Sequence, residues 1–172
     1  KNGVPIFEVI PKTSDVLSEE AAYVTLNLME GVTNYGSGGR LRHSGLEETN
    51  YIYKNLITGY PYAFENAIAG KTGTTQNQSD GWFMGMVPNL VTGVWVGGED
   101  RSVHFEDIAF GQGATMALPI WAQFMKNAYS NPDLGISAED FQSPKVLTIP
   151  TDCENLSIES ETKKKDLEDL GF

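Results

Sequence analysis

The sequence predicts an α/β protein of the α+β kind, an antiparallel sheet flanked by helices. Small and polar residues alternate at 69–75, AGKTGTT, which indicates a strand. Two apolar runs follow, WFMGMV at 82–87 and VTGVWVGG at 91–98, and both are typical of further strands. Apolar residues at helical spacing occur on both sides of this group, which predicts the flanking helices.

The second and third strands are predicted to form a hairpin that extends the first strand. Pro88, Asn89 and Leu90 alone separate the two apolar runs, a length typical of antiparallel connections. In the first strand Lys71 and Gly73 share one face, because successive side chains point to opposite faces; Thr72 and Thr74 share the other. Glycine inside a strand often marks a close approach, so we expect Gly73 beside a bound peptide.

Two amphipathic helices are expected around the sheet. Ser18 is a typical N-cap, with Glu19 and Glu20 in the first turn, and the glycines within 36–39 end this helix. Pro119 is tolerated near the start of the second helix because its missing amide hydrogen would be unpaired there. The predicted buried stripes are Ala21, Ala22, Leu28, Met29 and Val32 in the first helix, and Ile120, Trp121, Phe124, Met125 and Ala128 in the second.

Between these elements the pattern is weaker. Residues 40–65 form a polar connection that carries several tyrosines, and FGQGA at 110–114 indicates a flexible link. The three tryptophans lie on the apolar sides of predicted elements and are expected in the core: Trp82, Trp95 and Trp121. Asp80 is expected to shape the turn after Thr75, because aspartate side chains bond their own backbone in turns.

The ends of the chain differ from its middle. Residues 4–10, VPIFEVI, predict a strand in or beside the sheet, and residues 145–149 predict a short strand. Proline-bearing connections follow residue 130, and charges dominate beyond Asp152, where we expect a disordered tail. The predicted organisation is therefore one domain over residues 1–130 and a linker with an acidic tail over residues 131–172.

Composition restricts the classes of partner. The chain has 172 residues and a net charge of −11, so nucleic-acid phosphates would be repelled. No apolar run is long enough to cross a bilayer, and the single cysteine, Cys153, permits no internal disulfide. His43 and His104 lack a second histidine or cysteine at ligand spacing and are expected at the surface. No metal and no cofactor is expected.

The residues Gly70-Lys71-Thr72 could also be the end of a nucleotide-binding loop. A phosphate-binding loop requires a glycine five residues before Gly70 and a helix directly after the lysine. Glu65 occupies the glycine position, and its charge would repel a phosphate. The residues at 76–81, QNQSDG, are typical of a turn and lead into a strand, so the nucleotide interpretation is disfavoured.

The alternative is acyl transfer. Lys71-Thr72-Gly73 resembles the third element of the serine site shared by penicillin-binding proteins and class A β-lactamases. The order of lysine strand, Trp-Phe strand, Trp-Val strand, glycine link and Pro-Ile-Trp helix is similar to that in class A, bifunctional penicillin-binding proteins. From Val16 to about Tyr129 the chain resembles the C-terminal half of their transpeptidase domain, a β-lactamase/transpeptidase-like fold. The sequence of residues 79–85 and 98–102 is most similar to that of family members from Bacteroidetes-type bacteria.

Two elements of that family's site are absent before Lys71. The family places Ser-x-x-Lys and Ser-x-Asn ahead of the Lys-Thr-Gly strand. Ser160-Glu161-Thr162-Lys163 follows it in the charged tail and is interpreted as a chance match, and Tyr53-Lys54-Asn55 is interpreted as a surface turn. The chain is therefore expected to be a fragment that carries half of a catalytic site and cannot form an acyl-enzyme alone.

The resemblance implies a function for the parent protein. It would be a serine-type D,D-transpeptidase and D-Ala-D-Ala carboxypeptidase that binds peptidoglycan stem peptides and β-lactams, and also a glycosyltransferase. Its anchor would lie in the cytoplasmic membrane and this part in the periplasm, with no membrane contact of its own. Lys71 and Thr74 would be catalytic, and the substrate-binding residues would be Thr72, Gly73, Thr74 and Thr75.

Two other functions share these sequence features. A non-catalytic cell-envelope module could keep the fold and bind a peptide or a partner, but it has no need of an intact Lys71-Thr72-Gly73-Thr74 strand. A β-lactamase would share the motif and needs a water-activating carboxylate that these residues do not show. The Pro119-Ile120-Trp121 helix resembles the synthase better. The transpeptidase interpretation is therefore preferred, with the binding module as its alternative.

Overall fold

The structure, a computed structural model, describes residues 14–151. Its sheet has three antiparallel strands in the order β1-β2-β3, with β1 at Ala69–Thr74, β2 at Asp80–Val87 and β3 at Leu90–Gly97. The α+β prediction, an antiparallel sheet flanked by helices, is confirmed, as is the hairpin that extends the Lys71 strand. Leu90 lies in β3, so Pro88 and Asn89 alone make the connection.

Helix α1 spans Glu19–Asn34, and Ser18 caps it as predicted, because its hydroxyl accepts a hydrogen bond from the Ala21 amide at 3.1 Å. The helix is anchored through its C-terminal turn, where the buried Thr33 hydroxyl donates to the Ile68 carbonyl at 2.5 Å, next to β1. The predicted buried stripe is wrong at Leu28, which is 70% exposed, and its other four residues are only half-buried; the buried residue of this helix is Thr33.

Helix α5 spans Leu118–Tyr129, with proline near its start as predicted. Its Trp121 packs edge-on against Phe83, with ring centroids 5.2 Å apart, and its Nε1 donates to Thr92 Oγ1 at 2.6 Å. Gly85 makes this packing possible, since a Cβ there would lie 2.7 Å from Trp121 Nε1. Helix α5 therefore closes one face of β2 and β3.

The predicted stripe of α5 is rotated relative to the observed one. Ile120 and Phe124 are 49% and 50% exposed, and their predicted burial is wrong. Each is adjacent in the chain to a buried residue of the helix. One position along a helix rotates the side chain by about 100° around the axis, which here places it outside the core. The buried residues of the helix are Leu118, Pro119, Trp121, Ala122, Met125 and Ala128.

The tryptophans divide between the two faces of the sheet. Trp121 is 1% exposed, so its predicted place in the core is confirmed. Trp82 and Trp95 are 44% and 46% exposed, so theirs is wrong. They lie opposite each other in β2 and β3, with ring centroids 6.4 Å apart, on the face that α5 leaves open. By strand alternation Lys71 belongs to this face too.

The predicted flexible link is helical and mostly buried. Helix α3 spans Ile108–Gly111, and helix α4 spans Gly113–Met116, all four residues of which are buried. The glycines serve close packing here, since a Cβ on Gly111 would lie 2.9 Å from that of Phe105. Because close approach and flexibility select the same residue, the sequence pattern does not distinguish them.

The connection between α1 and the sheet supplies part of the core. Helix α2 spans Tyr51–Asn55, and Tyr53 is 1% exposed, so its interpretation as part of a surface turn is wrong. Its hydroxyl donates to the Ala114 carbonyl, and its ring packs edge-on against Tyr60 with centroids 5.5 Å apart. The other buried hydrophobic residues of this connection are Leu41, Tyr62, Phe64, Ala67 and Ile68.

After α5 the chain returns to earlier elements. Asn89, in the hairpin turn, donates to the Gly135 carbonyl at 2.8 Å and accepts from the Ser137 amide at 2.9 Å. The strand predicted at 145–149 does not form; the amides of Thr148 and Ile149 donate to the Glu20 carboxylate instead.

Several expectations fall outside the described residues. These are the strand predicted at 4–10, the tail beyond Asp152, the single Cys153 and the Ser160–Lys163 pattern. From residue 14 to residue 151, none of the helices is both long and apolar enough to cross a bilayer.

Candidate functional site

The free edge of β1 is the centre of the candidate site. Within the described residues, β1 pairs on one side only, with β2. The Thr75 amide donates to the Asp80 carbonyl at 3.1 Å, which fixes the alternation of this antiparallel pair. Residues at every second position exchange hydrogen bonds with β2, so the amides and carbonyls of Thr72 and Thr74 point to the open edge.

Lys71 brings a positive charge to this edge. Its side chain is exposed, and its Nζ donates to the Thr72 carbonyl at 2.8 Å. The Lys71 Cβ lies on the open face of the sheet. Its ammonium group nevertheless lies at the free edge of β1, where the Thr72 carbonyl oxygen points. An ammonium is a compact charge with three donors, so it can bind this carbonyl and still attract an anion.

The Thr72 hydroxyl bonds to a residue outside the predicted site. Its Oγ1 lies 2.6 Å from the Oγ of Ser37, and either hydroxyl can be the donor. Ser37 belongs to the turn after α1, which packs tightly on that helix; a Cβ on Gly36 would lie 3.0 Å from Val32 Cα. No periodicity or charge pattern identifies Ser37, because its partner is distant in the chain.

The Thr74 hydroxyl is oriented by a backbone amide. Gly113, at the start of α4, donates its N–H to Thr74 Oγ1 at 2.9 Å. Because an amide N–H can only donate, the threonine oxygen accepts here and keeps its own hydrogen for another partner. A Cβ on Gly113 would collide with the carbonyl oxygens of Gly73 and Trp82, so only glycine fits under β1 at this position.

Gly73 also sits in a restricted space. A Cβ there would lie 3.1 Å from the Cβ of Trp82, its partner across the β1–β2 pair. Substitution would require the tryptophan to shift on the open face of the sheet. A glycine at this position leaves the space beside the strand open, which would allow another backbone to approach it.

Thr75 is used differently from the other predicted site residues. Its Oγ1 lies 3.0 Å from Ser79 Oγ and accepts from the Asp80 amide at 2.9 Å. The Asp80 carboxylate accepts from the Thr75 hydroxyl at 3.2 Å and from Trp95 Nε1 at 3.2 Å. These bonds close the β1–β2 turn, so Asp80 shapes this turn as predicted, and the Thr75 hydroxyl is turned into it.

A small cavity lies beside this turn. Its volume is about 270 Å³, and it is bounded by the turn, the end of β3 and the loop before α3. The lining is mostly apolar and includes Val96, Val103, Phe105 and Met116, together with Ser79 and His104. The cavity lies beyond the end of β1 rather than on its free edge.

The connection behind the site carries a buried ion pair. Glu48 is 5% exposed, and its carboxylate accepts from Arg40 Nε at 3.0 Å, from the Asn50 amide at 2.7 Å and from the Tyr60 hydroxyl at 3.2 Å. Burial acts to raise the pKa of Glu48, but these hydrogen bonds and the Arg40 charge outweigh it and lower the pKa. Burial and the Glu48 charge raise the pKa of Tyr60 to about 12.

The histidines lie apart from the free edge of β1. His43 Nδ1 is 3.5 Å from the Glu48 carboxylate, and His104 Nδ1 is 3.0 Å from the Phe105 carbonyl in an exposed loop. In the part of the chain that the structure describes, no three side chains of His, Cys, Asp or Glu are close enough together to hold a metal ion.

Comparison with known proteins finds relatives that resemble most of this chain. The chain is 31% identical over 147 residues to penicillin-binding protein 1A of Pseudomonas aeruginosa, covering 85% of this chain and 15% of that protein. It is 28% identical over 163 residues to penicillin-binding protein 1A of Aquifex aeolicus, covering 91% and 19%. A crystal structure of penicillin-binding protein 1A from Haemophilus influenzae superposes with a TM-score of 0.51 at 22% identity, covering 77% and 17%.

The chain is therefore related in sequence to the penicillin-binding proteins 1A and 1B, and over most of its length it shares the fold of the Haemophilus influenzae protein. No protein-family model matches it. The chain spans only 14–19% of the length of the first curated relatives that it matches, so those proteins contain much that has no counterpart here.

Proposed function

We propose that these residues are the C-terminal part of the transpeptidase domain of a class A, bifunctional penicillin-binding protein. The observation that carries the proposal is the free edge of β1, where the Lys71 ammonium binds the Thr72 carbonyl and the Thr74 amide is left without a strand partner among the described residues. An extended peptide can add to such an edge through its main chain. The substrate would be a peptidoglycan stem peptide that ends in D-Ala-D-Ala.

Each residue at the edge has a chemical role in this proposal. Lys71 attracts the terminal carboxylate and favours proton transfer at the nucleophile. The Thr74 hydroxyl, whose oxygen already accepts from Gly113, donates its hydrogen to that carboxylate. The Thr74 amide is one donor of the oxyanion hole, a group worth about 3 kcal/mol in the transition state. Gly73 allows the substrate backbone to approach, and Thr72 binds it beside Lys71.

The Thr75 hydroxyl has a smaller role in the proposal. It is engaged with Ser79 and Asp80 in the turn after β1, so we assign it to holding the end of the strand beneath the substrate. Mutation of Thr75 should accordingly change the placement of Thr74 rather than remove a contact with the carboxylate.

The nucleophile comes from a longer protein in this proposal. A serine attacks the penultimate D-alanine carbonyl, its proton passes to a neighbouring base, and the terminal D-alanine leaves with its nitrogen protonated. The acyl group then passes to an amine of a second stem peptide, or to water in the carboxypeptidase reaction. The resemblance adds a glycosyltransferase, a cytoplasmic-membrane anchor, a periplasmic location and a Bacteroidetes-like origin to the same proposal.

The test is intact mass spectrometry after incubation with benzylpenicillin, on the protein as its gene encodes it in full and on the 172-residue chain. A single covalent adduct on the full protein alone is expected. Lys71→Ala and Thr74→Val should slow its formation at least tenfold, and Lys54→Ala, at an exposed lysine of α2, should not. An adduct on the short chain would disprove the missing-serine part, and no adduct on either would favour the non-catalytic binding module.

A further inference from the structure

The hydroxyls of Thr72 and Thr74 lie on the same face of β1, and each is held by a group from another element. Gly113 donates its amide to Thr74 Oγ1 at 2.9 Å, whereas Ser37 bonds Thr72 Oγ1 through a hydroxyl at 2.6 Å. Each threonine hydroxyl is therefore oriented by a hydrogen bond from another element, Thr74 from the start of α4 and Thr72 from the turn after α1.

The chemistry of a hydroxyl pair determines what it can offer a ligand. Two hydroxyls that bond to each other use one hydrogen between them, and the one that accepts keeps its own hydrogen for a third group. When Ser37 donates, Thr72 has the same state as Thr74: its oxygen accepts, and its hydrogen is available. A carboxylate can only accept, so an anionic ligand at this edge selects that direction of the Ser37–Thr72 bond.

We propose that Ser37 is a positioning residue for the C-terminal carboxylate of the substrate. It donates to Thr72 Oγ1, and Thr72 then donates to the carboxylate beside Thr74 and Lys71. This inference rests on the proposed function, because it requires an anionic substrate at the edge of β1. It adds the turn after α1 to the elements that determine specificity for a free carboxyl terminus.

The backbone fixes Ser37 independently of β1. The amides of Tyr35 and Gly36 both donate to the Gly31 carbonyl, and the Gly38 amide donates to the Val32 carbonyl at 2.9 Å. This turn is pressed against α1, since a Cβ on Gly38 would lie 3.2 Å from Val32 O. Ser37 is therefore presented on a rigid turn, which is what a positioning group requires.

A purely structural role explains the bond less well. The buried bond from Thr33 to the Ile68 carbonyl already ties α1 to the start of β1, and Arg42 donates to the Phe64 and Asn66 carbonyls beside it. The Ser37–Thr72 bond is exposed to solvent, where exchange with water leaves a hydrogen bond little net effect on stability. Ser37 should therefore affect anion binding more than folding.

The experiment measures acylation rates of the full-length protein with two probes. Benzylpenicillin carries the carboxylate, and its methyl ester carries none. Ser37→Ala should lower the second-order rate constant with benzylpenicillin about tenfold and leave the slower reaction with the ester unchanged. Ser37→Thr restores the hydroxyl and should recover the wild-type rate within about twofold. Ser44→Ala, at an exposed serine of the connection, is the matched control.

The outcomes distinguish a failure of the Ser37 positioning role from a failure of the proposed transpeptidase function. If Lys71→Ala slows acylation but Ser37→Ala leaves the benzylpenicillin rate unchanged, or slows both probes equally, the positioning role is wrong and the transpeptidase proposal stands. If the wild-type protein forms no adduct, both are wrong. Thermal unfolding of each variant checks folding; should Ser37→Ala unfold, Ser37→Cys, with a thiol that is only a weak donor, should show the same selective loss.

Discussion

The Thr74 hydroxyl accepts a hydrogen bond from the Gly113 amide at 2.9 Å. The two residues are separated by 39 positions in the chain, so the start of α4 sets the orientation of a side chain on the strand. Only glycine allows this contact, because a Cβ on residue 113 would collide with the Gly73 and Trp82 carbonyl oxygens. Gly113 is thus part of the candidate site.

Gly113→Ala should disrupt the site and destabilise the fold. The added methyl group must push α4 away from β1, which we expect to lower the free energy of unfolding by about 2–3 kcal/mol. Because the Thr74 hydroxyl then loses its donor, acylation by benzylpenicillin should fall by more than tenfold. Urea unfolding and the adduct rate measure the two effects.

Gly31→Ala is the matched control for that substitution. Gly31 lies in α1, and a Cβ there would meet nothing within 4 Å. Alanine in a helix interior is more favourable than glycine by about 0.5–1 kcal/mol, so this variant should be slightly more stable and fully active. Equal losses in both glycine variants would contradict the steric argument.

How much the sequence predicts depends on whether a feature is local. The three strands, the Ser18 cap and the α5 helix follow from residues close to one another, and the structure confirms them. The predicted burial of Trp82 and Trp95 is wrong because apolar character does not indicate which face of a sheet is covered. The covering helix contacts the other face, through Trp121.

The site residues show the same limit. Strand alternation places Lys71, Thr72 and Thr74 from sequence alone. Ser37 is not predicted as a site residue, because its partner on β1 is 35 positions away in the chain. Gly113 is predicted to lie in a flexible link, because the sequence pattern does not show which carbonyl oxygens lie close to it in the fold.

Asp80 should be required for the turn at the end of β1. Its two carboxylate oxygens accept from Trp95 Nε1 at 3.2 Å and from the Thr75 hydroxyl at 3.2 Å. Asp80→Ala removes both acceptors and should cost about 1–2 kcal/mol of unfolding free energy. Asp80→Asn keeps one acceptor and should lie between wild type and alanine. Urea unfolding gives the order, and equal stability of all three proteins would contradict this role.

Tyr53→Phe should weaken the contact between α2 and α4. The buried Tyr53 hydroxyl donates to the Ala114 carbonyl, so its removal leaves that acceptor without its partner. We expect a loss of about 1–2 kcal/mol in the free energy of unfolding. Tyr51→Phe, at a tyrosine of the same helix that is 68% exposed, should change it by less than about 0.5 kcal/mol. Similar losses in both variants would argue against the buried bond.

Glu48→Gln should reveal a pH-dependent contribution to stability. The Asn50 amide, Arg40 and Tyr60 together hold the pKa of Glu48 below its ordinary value of 4.5, although burial opposes them. A carboxylate whose pKa is lowered in the folded state stabilises it fully above the unfolded value, and this contribution is lost as the pH falls through the folded value. Above pH 4.5, therefore, the ionised Glu48 carboxylate stabilises the folded protein.

At pH 7 the glutamine variant should be less stable than wild type by about 2 kcal/mol, because Arg40 loses its partner in a largely buried pair. Since wild-type Glu48 becomes protonated as the pH falls below its folded pKa, the difference between the two proteins should shrink in acid. Urea unfolding at pH 7 and at about pH 3 measures it, with the exposed Glu47→Gln as the control, expected within about 0.5 kcal/mol of wild type at pH 7. A difference that stays constant over this range would mean that Glu48 stabilises the connection by packing rather than by charge.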